Sequence, residues 1–468
     1  MGLVFLVKCF THPSLQSMWC RLFLFCLVAL SFSGVSAGSW TNARWMEAMG
    51  DRIANVSVIE FVFPGTHDSG AFWLSDNLIP STQPVTVDFI KLASDFGVPV
   101  LELIKNWAYA QSLDTYQQLE HGARYIDLRC MFSPKDGVWR TFHGTYGITI
   151  KRMLLDVAQF LSNHTEEVVI VDASHFDFFT TADMNDLIGM MKSILGDWLI
   201  EKSSPIESLQ IGDLQRRNKR CLMIFEDMVP AYENSFLWAR HTLWGPYANS
   251  PNTTAMLLHN LFLMENFGQY NNLLRVWHTL TEDADTVIAG LIDPDTYPHT
   301  LHELTRTCAR ELESFLQSYS WLLPSNTLVV DWIQESPAVM LAQVFNYVHA
   351  NCMDDIRFRP RSINGDDCRS WRLHGLCSKN DTIRSLCPLT CGTCPRDEGL
   401  PGADCTRTKS CIMGSCVSDL SGNSFTCTAA EAGAPGVPCG SDYMCLSLQC
   451  SRTTYQCLGR DSNVVENY

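Results

Sequence analysis

Two short stretches decide how this chain folds: Gly65-Thr66-His67-Asp68-Ser69-Gly70 and Arg124-Tyr125-Ile126-Asp127-Leu128-Arg129. Each follows or forms an apolar, β-branched run, so each places ionisable groups at the end of a predicted strand. A third stretch, Phe142-His143-Gly144, comes soon after the second. Together the three supply two histidines, two carboxylates and an arginine, a set suited to moving protons around a phosphate.

Around these stretches, the span 40–350 alternates short β-rich runs with longer helical patterns such as 148–163 and 181–199. This alternation predicts an α/β fold with a parallel sheet. The length favours a TIM-type (β/α) barrel, irregular or incompletely closed, over an open sheet. The predicted strands are 57–63, 124–129, 138–142, 167–172, 221–225 and 327–331, and not every strand between 226 and 327 can be placed.

The first 37 residues have the features of a signal peptide, with Met18 as an alternative start. Arg21 precedes the apolar run 22–30, and Val35-Ser36-Ala37 supplies small residues for cleavage. The apolar run is too short to span a bilayer. We therefore expect a secreted, extracellular protein, with a catalytic barrel at 38–351, a cysteine-rich module at 352–395 and a cysteine-rich repeat region at 396–468.

The formal charge of −16 argues against a nucleic-acid partner, which would need a basic face. Most of the 20 cysteines lie beyond residue 351, a density typical of compartments where disulfides persist. One spacing occurs twice there, with five and then four residues between the first three cysteines of each set: Cys405, Cys411, Cys416, Cys427 and Cys439, Cys445, Cys450, Cys457. Neither set has enough apolar residues for a core, so we expect small disulfide-stapled modules. Zinc binding is the alternative, and the lack of paired histidines weighs against it.

Four Asn-X-Ser/Thr patterns are candidate glycosylation sites in a secreted chain. They begin at Asn55, Asn163, Asn252 and Asn380.

In a parallel barrel, the residues at the carboxyl ends of the strands face one shared mouth. Two histidines near neutral pH can divide the work, one neutral as a base and one charged as an acid. Arg129 is permanently charged and forked, which suits the non-bridging oxygens of a phosphate. The predicted catalytic set, suited to cleaving a phosphodiester that carries a neighbouring hydroxyl, is His67, His143, Arg129, Asp68, Asp127 and Asp331.

At these residues the chain resembles the X domain of phosphatidylinositol-specific phospholipase C. The stretches that carry the resemblance occur in the family's order, at 65–69, 107–111, 118–129 and 142–144. They are closer to the bacterial and small X-domain-only type than to the large calcium-dependent signalling enzymes. The resemblance covers roughly 40–350, and the cysteine cluster 368–394 resembles the ShK-toxin-like (ShKT) module.

The resemblance implies a role for each member of the catalytic set. His67 matches the general base that takes the proton from the inositol 2-hydroxyl, and His143 matches the acid that protonates the departing diacylglycerol oxygen. Arg129 stands where the signalling enzymes have an acidic residue that helps to hold calcium, so no calcium or other cofactor is expected. Asp68 and Asp127 match supporting carboxylates, and Asp331 most resembles the aspartate that orients the base.

The expected substrate is an inositol phospholipid or a GPI-type anchor at a membrane surface. Candidate substrate-binding residues are Asp172, His175, Glu226, Trp244 and Tyr247. The acidic groups among them stand where the bacterial type has basic residues, which implies a less basic headgroup pocket. The aromatic stretch 176–179 is either core or a membrane-touching lip at the mouth.

Two other functions stay open at this point. One is a metal-dependent phosphodiesterase on a similar barrel. The other is an inactive secreted binding protein that uses the barrel and the cysteine-rich modules to engage a protein or glycan partner. The intact His67, Arg129 and His143 weigh against an inactive barrel.

Overall fold

A computed structural model describes residues 40–80, 84–267, 272–319 and 326–350, together with Cys352 and parts of 368–457. The predicted signal peptide at 1–37 lies outside the described residues. Across the described part of the chain, no helix combines the length and apolar character needed to cross a membrane.

The barrel region contains ten strands among its described residues. They are β1 (Phe63–Thr66), β2 (Tyr125–Ser133), β3 (Val138–His143), β4 (Thr145–Thr149), β5 (Val169–Asp177), β6 (Cys221–Phe225), β7 (Leu237–Ala239), β8 (Leu243–Trp244), β9 (Leu273–His278) and β10 (Thr327–Val330).

Eight of these strands form a parallel sheet in the order β7-β6-β5-β2-β1-β10-β9-β8. Its two end strands, β7 and β8, do not pair with each other, although they are consecutive along the chain. The sheet therefore curls into a nearly closed barrel, and the predicted TIM-type (β/α) fold is confirmed.

The helices of the barrel region lie before, between and after these strands. They are α1 (Trp45–Met49), α2 (Pro84–Phe96), α3 (Val100–Ala108), α4 (Thr115–Glu120), α5 (Ile150–Asn163), α6 (Thr181–Leu195), α7 (Ile211–Arg216), α8 (Met228–Glu233), α9 (Thr253–Phe267), α10 (Ala284–Ile292), α11 (Leu301–Ala309), α12 (Glu311–Tyr319) and α13 (Ala338–His349).

Helix α5 shows how the sequence forms the outer layer. Thr149 caps its first turn by accepting the N–H of Arg152, and Met153, Val157 and Phe160 recur on one face. These side chains are buried in a core cluster with strands β2, β5 and β6. Each such large apolar side chain contributes about 1.5–3 kcal/mol by leaving water.

One strand prediction is wrong, and another predicted strand pairs differently from the expectation. The first strand begins at Phe63 instead of residue 57, because Val58–Glu60 forms a 3-10 turn closed by a capping box between Ser57 and Glu60. Strand β3 is not a parallel barrel strand, since it forms an antiparallel extension with β2 and β4. His143 therefore reaches the barrel mouth from this extension.

Disulfides account for the cysteine-rich segments. In each repeat the first cysteine pairs with the third and the second with the fourth: Cys405–Cys416 and Cys411–Cys427, then Cys439–Cys450 and Cys445–Cys457. The preceding module contains helices α14 (Cys368–Leu373) and α15 (Asp381–Leu386) and the bonds Cys368–Cys387 and Cys377–Cys391. The sulfurs that zinc would need are paired in these disulfides, which favours stapled modules over zinc sites. Cys130, Cys221 and Cys308 of the barrel are buried free thiols.

Candidate active site

The loop after β1 is tied to β2 by its own small side chains. A Cβ on Gly65 would lie 2.5 Å from Cδ1 of Tyr125, so only glycine allows the two strands to approach this closely. The hydroxyls of Thr66 and Ser69 lie 2.6 Å apart, and Ser69 Oγ accepts the N–H of Asp127 over 2.9 Å. These contacts place His67 and Asp68 over the end of the barrel.

His67 bridges a carboxylate and a guanidinium. Its Nδ1 lies 2.7 Å from Oδ1 of Asp331, and its Nε2 lies 2.7 Å from Nη2 of Arg129. A guanidinium only donates, so Nε2 must accept and Nδ1 carries the proton. Burial acts to lower the pKa of His67, but Asp331 outweighs burial and the net pKa is raised.

Arg129 is fixed by two carboxylates. Its Nη1 lies 2.9 Å from Oδ2 of Asp68, and its Nε lies 3.4 Å from Oδ2 of Asp127. Burial acts to raise the pKa of Asp127, yet Arg129 and His67 hold it at about 2. Asp127 also accepts the backbone N–H of Asp68 over 2.9 Å, which helps to hold Asp68 in a left-handed conformation with φ 40°.

His143, at the end of β3, lies near the carboxylate of Asp68. Its Nδ1 donates to the carbonyl of Ala108 over 2.8 Å and lies 3.4 Å from Oδ2 of Asp68. Its Nε2 has no hydrogen-bond partner among the described residues. The rings of His67 and His143 are 6.1 Å apart, centroid to centroid. Burial, helped by Arg129 and His67, lowers the pKa of His143 in spite of Asp68.

Asp331 completes the predicted catalytic set. Asp331 directly follows β10, is buried, and contacts His67 from the side opposite Arg129. The structure thus brings all six predicted catalytic residues together. One atom, Oδ2 of Asp68, lies within 3.7 Å of nitrogen atoms of His67, Arg129 and His143.

Asp172 does not offer a free carboxylate to a substrate, which corrects the picture drawn from the sequence. It is fully buried, accepts the hydroxyl of Tyr125 over 2.8 Å, and pairs with both Arg240 and Arg275. Asp172 instead holds the guanidinium groups of Arg240 and Arg275 on this side of the barrel.

The other predicted binding residues divide between the mouth and the core. His175 is exposed in a left-handed conformation, and its N–H donates to Glu226 over 2.5 Å. Tyr247 is 46 % exposed and meets the ring of Trp277 edge-on at 6.2 Å. Trp244 packs against a core cluster instead of standing free for stacking.

The aromatic side chains of the stretch 176–179 are half-buried and pack against core clusters. Phe176 contacts the rings of Trp139 and Phe225, and Phe179 contacts Trp139 and Phe176. Phe178 packs against a separate small cluster beside β4.

Sequence reasoning missed Arg240, Arg275, Trp277 and Glu282. Arg275 and Trp277 alternate along β9, so they point to the same face of the sheet, and Trp277 meets His67 edge-on at 5.5 Å. An arginine inside the apolar run of β9 was the available signal. Glu282 follows β9, and burial, opposed by His67, raises its pKa to about 7.

The four candidate glycosylation asparagines, Asn55, Asn163, Asn252 and Asn380, are all exposed. Their side chains are thus accessible to modification.

Curated relatives share the barrel region. The chain is 26% identical over 255 residues to PI-PLC X domain-containing protein 3 of Danio rerio, which covers 53% of this chain and 77% of the relative. It is 28% identical over 254 residues to PI-PLC X domain-containing protein 2 of Homo sapiens, covering 54% and 81%. These matches confirm the resemblance to PI-PLC X-domain proteins.

Solved structures and one family model are also similar to parts of this chain. The phosphatidylinositol-specific phospholipase C of Listeria monocytogenes superposes with a TM-score of 0.43 at 17% identity, covering 66% of this chain and 99% of that one. A Staphylococcus aureus phosphatidylinositol-specific phospholipase C gives 0.44 at 14% identity, covering 66% and 98%. The ShK domain-like family model matches residues 351–394, which confirms the expected ShK-like module.

Proposed function

We propose that this protein is a secreted, metal-independent phosphodiesterase of the phosphatidylinositol phospholipase C type. The observation that carries the proposal is the convergence of His67, Arg129 and His143 on one carboxylate oxygen of Asp68. Three donors or acceptors that close together can contact a single phosphate group, with a base on one side and an acid on the other.

In the proposed reaction, the inositol 2-hydroxyl loses its proton to Nε2 of His67 as its oxygen forms a bond to phosphorus. The bond from phosphorus to the diacylglycerol oxygen breaks, and that oxygen takes a proton from His143. The products are inositol 1,2-cyclic phosphate and diacylglycerol. Arg129 stabilises the negative charge on the phosphate oxygens during the exchange.

Substrate binding would charge the acid of this reaction and free the base from Arg129. In the free protein the pKa of His67 is raised and that of His143 is lowered, which runs against a base and an acid respectively. A bound phosphate anion favours the charged form of a neighbouring imidazole, so it raises the pKa of His143. It also draws Arg129 away from Nε2 of His67, which exposes the lone pair of the base.

The headgroup would contact the side of the mouth formed by β5 to β9. Arg240 is partly exposed and fixed by Asp172, which leaves further donors of its guanidinium for a hydroxyl or phosphate oxygen. His175 lies near the end of β5, and Glu226 and Tyr247 lie on segments that follow β6 and β8. Inositol hydroxyls would suit this mixture of donors and acceptors.

Exposed apolar side chains support a lipid surface as the place of action. Met228, Val229 and Tyr232 of α8 are 38 %, 64 % and 68 % exposed, and Trp73 is 49 % exposed. The segments that carry them follow β6 and β1, and loops after parallel barrel strands lie at the mouth. A rim of this kind can insert into the interfacial region of a membrane.

The disulfide-rich segments and the exposed sequons support secretion and glycosylation. The ShK-like module and the repeats would engage an extracellular protein or glycan.

The proposed function is tested with the purified full chain and a panel of lipids that includes phosphatidylinositol, a GPI-anchored protein and phosphatidylcholine. Phosphorus NMR should detect a cyclic phosphodiester product from an inositol lipid, with full activity in excess EDTA. Loss of activity in EDTA would favour the metal-dependent alternative. Binding of inositol lipids without turnover, unchanged by Arg129→Lys, would favour the inactive binding protein.

A further inference from the structure

Helix α11 contacts the segment that follows β10 through one face. Residues 305 and 306 lie three and four positions after residue 302, so the three side chains share that face. His302 and Arg306 both pair with Glu335, at 3.0 and 2.9 Å. The ring of His302 also stacks on Trp332, with centroids 4.2 Å apart.

The segment held by α11 has a strained backbone. Trp332 has φ 41° and ψ 65°, the left-handed region that a bulky side chain rarely adopts. Such a conformation costs about 1–3 kcal/mol and persists only where surrounding contacts enforce it. Trp332 directly follows Asp331, so the contacts from α11 also determine where the Asp331 carboxylate points.

Thr305 makes the most direct of these contacts. It is buried on the inward face of α11, between the apolar residues Leu301, Leu304 and Cys308. Its hydroxyl donates to Oδ2 of Asp331 over 3.2 Å, while Oδ1 of the same carboxylate contacts Nδ1 of His67. A valine would fill the same volume, but it would leave the second oxygen of a buried carboxylate without this donor.

We propose that Thr305 is a positioning residue for the His67–Asp331 pair, because it fixes the rotation of the Asp331 carboxylate that orients the base. Thr305 itself would touch neither the substrate nor the phosphorus. The role depends on the proposed function, since orienting His67 matters only if His67 acts as a base.

The first test follows the titration of His67 by NMR in the full chain with isotope-labelled histidine, and it needs no turnover. The signal is assigned by its loss in His67→Gln. Thr305→Val should lower the pKa of His67, because a carboxylate free to rotate stabilises the imidazolium less. Thr305→Ser keeps the hydrogen-bond donor, so His67 should titrate in this variant as it does in the unsubstituted protein.

Other groups facing this pair are unchanged in both variants, so the comparison isolates the hydroxyl. Asp68, Arg129, His143 and Glu282 act on His67, and His278, on β9 beside Asp331, is also retained. In an Asp331→Asn background, Thr305→Val should cause no further change in the titration of His67.

The second test measures turnover. Thr305→Val should lower kcat about tenfold with little change in KM, and Thr305→Ser should restore it. A titration of His67 that is identical in Thr305→Val and the unsubstituted protein would overturn the positioning role. If the titration shifts as expected but no lipid is cleaved by any variant, the proposed function fails while the geometric role stands.

Discussion

Nη2 of Arg129 lies 2.7 Å from Nε2 of His67, so the group proposed to stabilise the phosphate also covers the proposed base. The same guanidinium is held by Asp68 and Asp127. A phosphate that binds Arg129 must therefore change the surroundings of His67 at the same moment. This arrangement makes the reactivity of the base depend on the presence of substrate.

Replacing Arg129 tests the phosphate-stabilising role. Arg129→Lys keeps the charge but removes the fork that can contact His67, Asp68 and a phosphate together. Release of diacylglycerol should fall by about 10²–10³. Arg152→Lys, on the outer helix α5, is the matched control and should keep full activity. Equal activity of the two variants would contradict the role of Arg129.

Replacing His143 tests the general acid. His143→Ala should abolish diacylglycerol release, because an alkoxide without a proton is a poor leaving group. A substrate with a nitrophenyl group in place of diacylglycerol needs no such proton and should lose much less rate. His259→Ala, which removes a ring hydrogen-bonded to the carbonyl of Pro246 on the outer helix α9, is the control. Equal losses on both substrates would rule out His143 as the acid.

The pH dependence should differ between kcat/KM and kcat. In the free protein the pKa of His67 is raised and that of His143 is lowered, so few molecules have a neutral His67 and a charged His143 together. The profile of kcat/KM should therefore be a low bell centred near the ordinary histidine pKa of about 6.5, since only a small share of the molecules is productive at any pH. Bound phosphate favours the charged form of both imidazoles, so the bell for kcat should be centred at a higher pH. The limbs belong to the coupled pair and not to single residues, and identical profiles would contradict the induced change.

Asp127 should make stability depend on pH in the acid range. Its pKa is about 2 in the folded protein, below the ordinary value of 3.8, so its stabilising effect is present above about pH 4 and is lost as the pH falls toward 2. The gap in unfolding free energy between the unsubstituted protein and Asp127→Asn should narrow by about 2 kcal/mol over that range. Denaturant unfolding at several pH values measures it, with the exposed Asp186→Asn as the control. A gap that stays constant with pH would contradict the depressed pKa.

Substitutions of the exposed apolar residues of α8 should weaken membrane binding without changing the chemical step. Val229→Ser with Tyr232→Ser should weaken binding to phosphatidylinositol vesicles about tenfold, because each loses apolar area from the interface. Hydrolysis of a soluble short-chain substrate should be unchanged. Leu258→Ser with Phe262→Ser on α9 is the matched control, since these side chains are 62 % and 56 % exposed on an outer helix. Equal weakening by both pairs would show that the mouth is not the membrane-facing side.

The candidate site was largely predictable, because several of its residues lie in or directly after strands with apolar, β-branched patterns. Asp127 lies in β2 and Asp331 directly follows β10, and strands β6 and β10 were placed within a residue. Strands β7 and β8 have three and two residues, which is too short for any periodicity to appear. Arg240 lies between these two strands, where no pattern points to it, and Arg275 lies in β9, a strand that the sequence analysis did not place. Their contacts with Asp172 depend on tertiary structure alone.

The missing pairing between β7 and β8 interrupts the ring of backbone hydrogen bonds at one position, next to Arg240. Separating two strand edges that share no ladder needs less free energy than separating any paired neighbours. The barrel wall should therefore open locally most often between β7 and β8. The amide protons of these two strands should exchange faster than those of the other barrel strands.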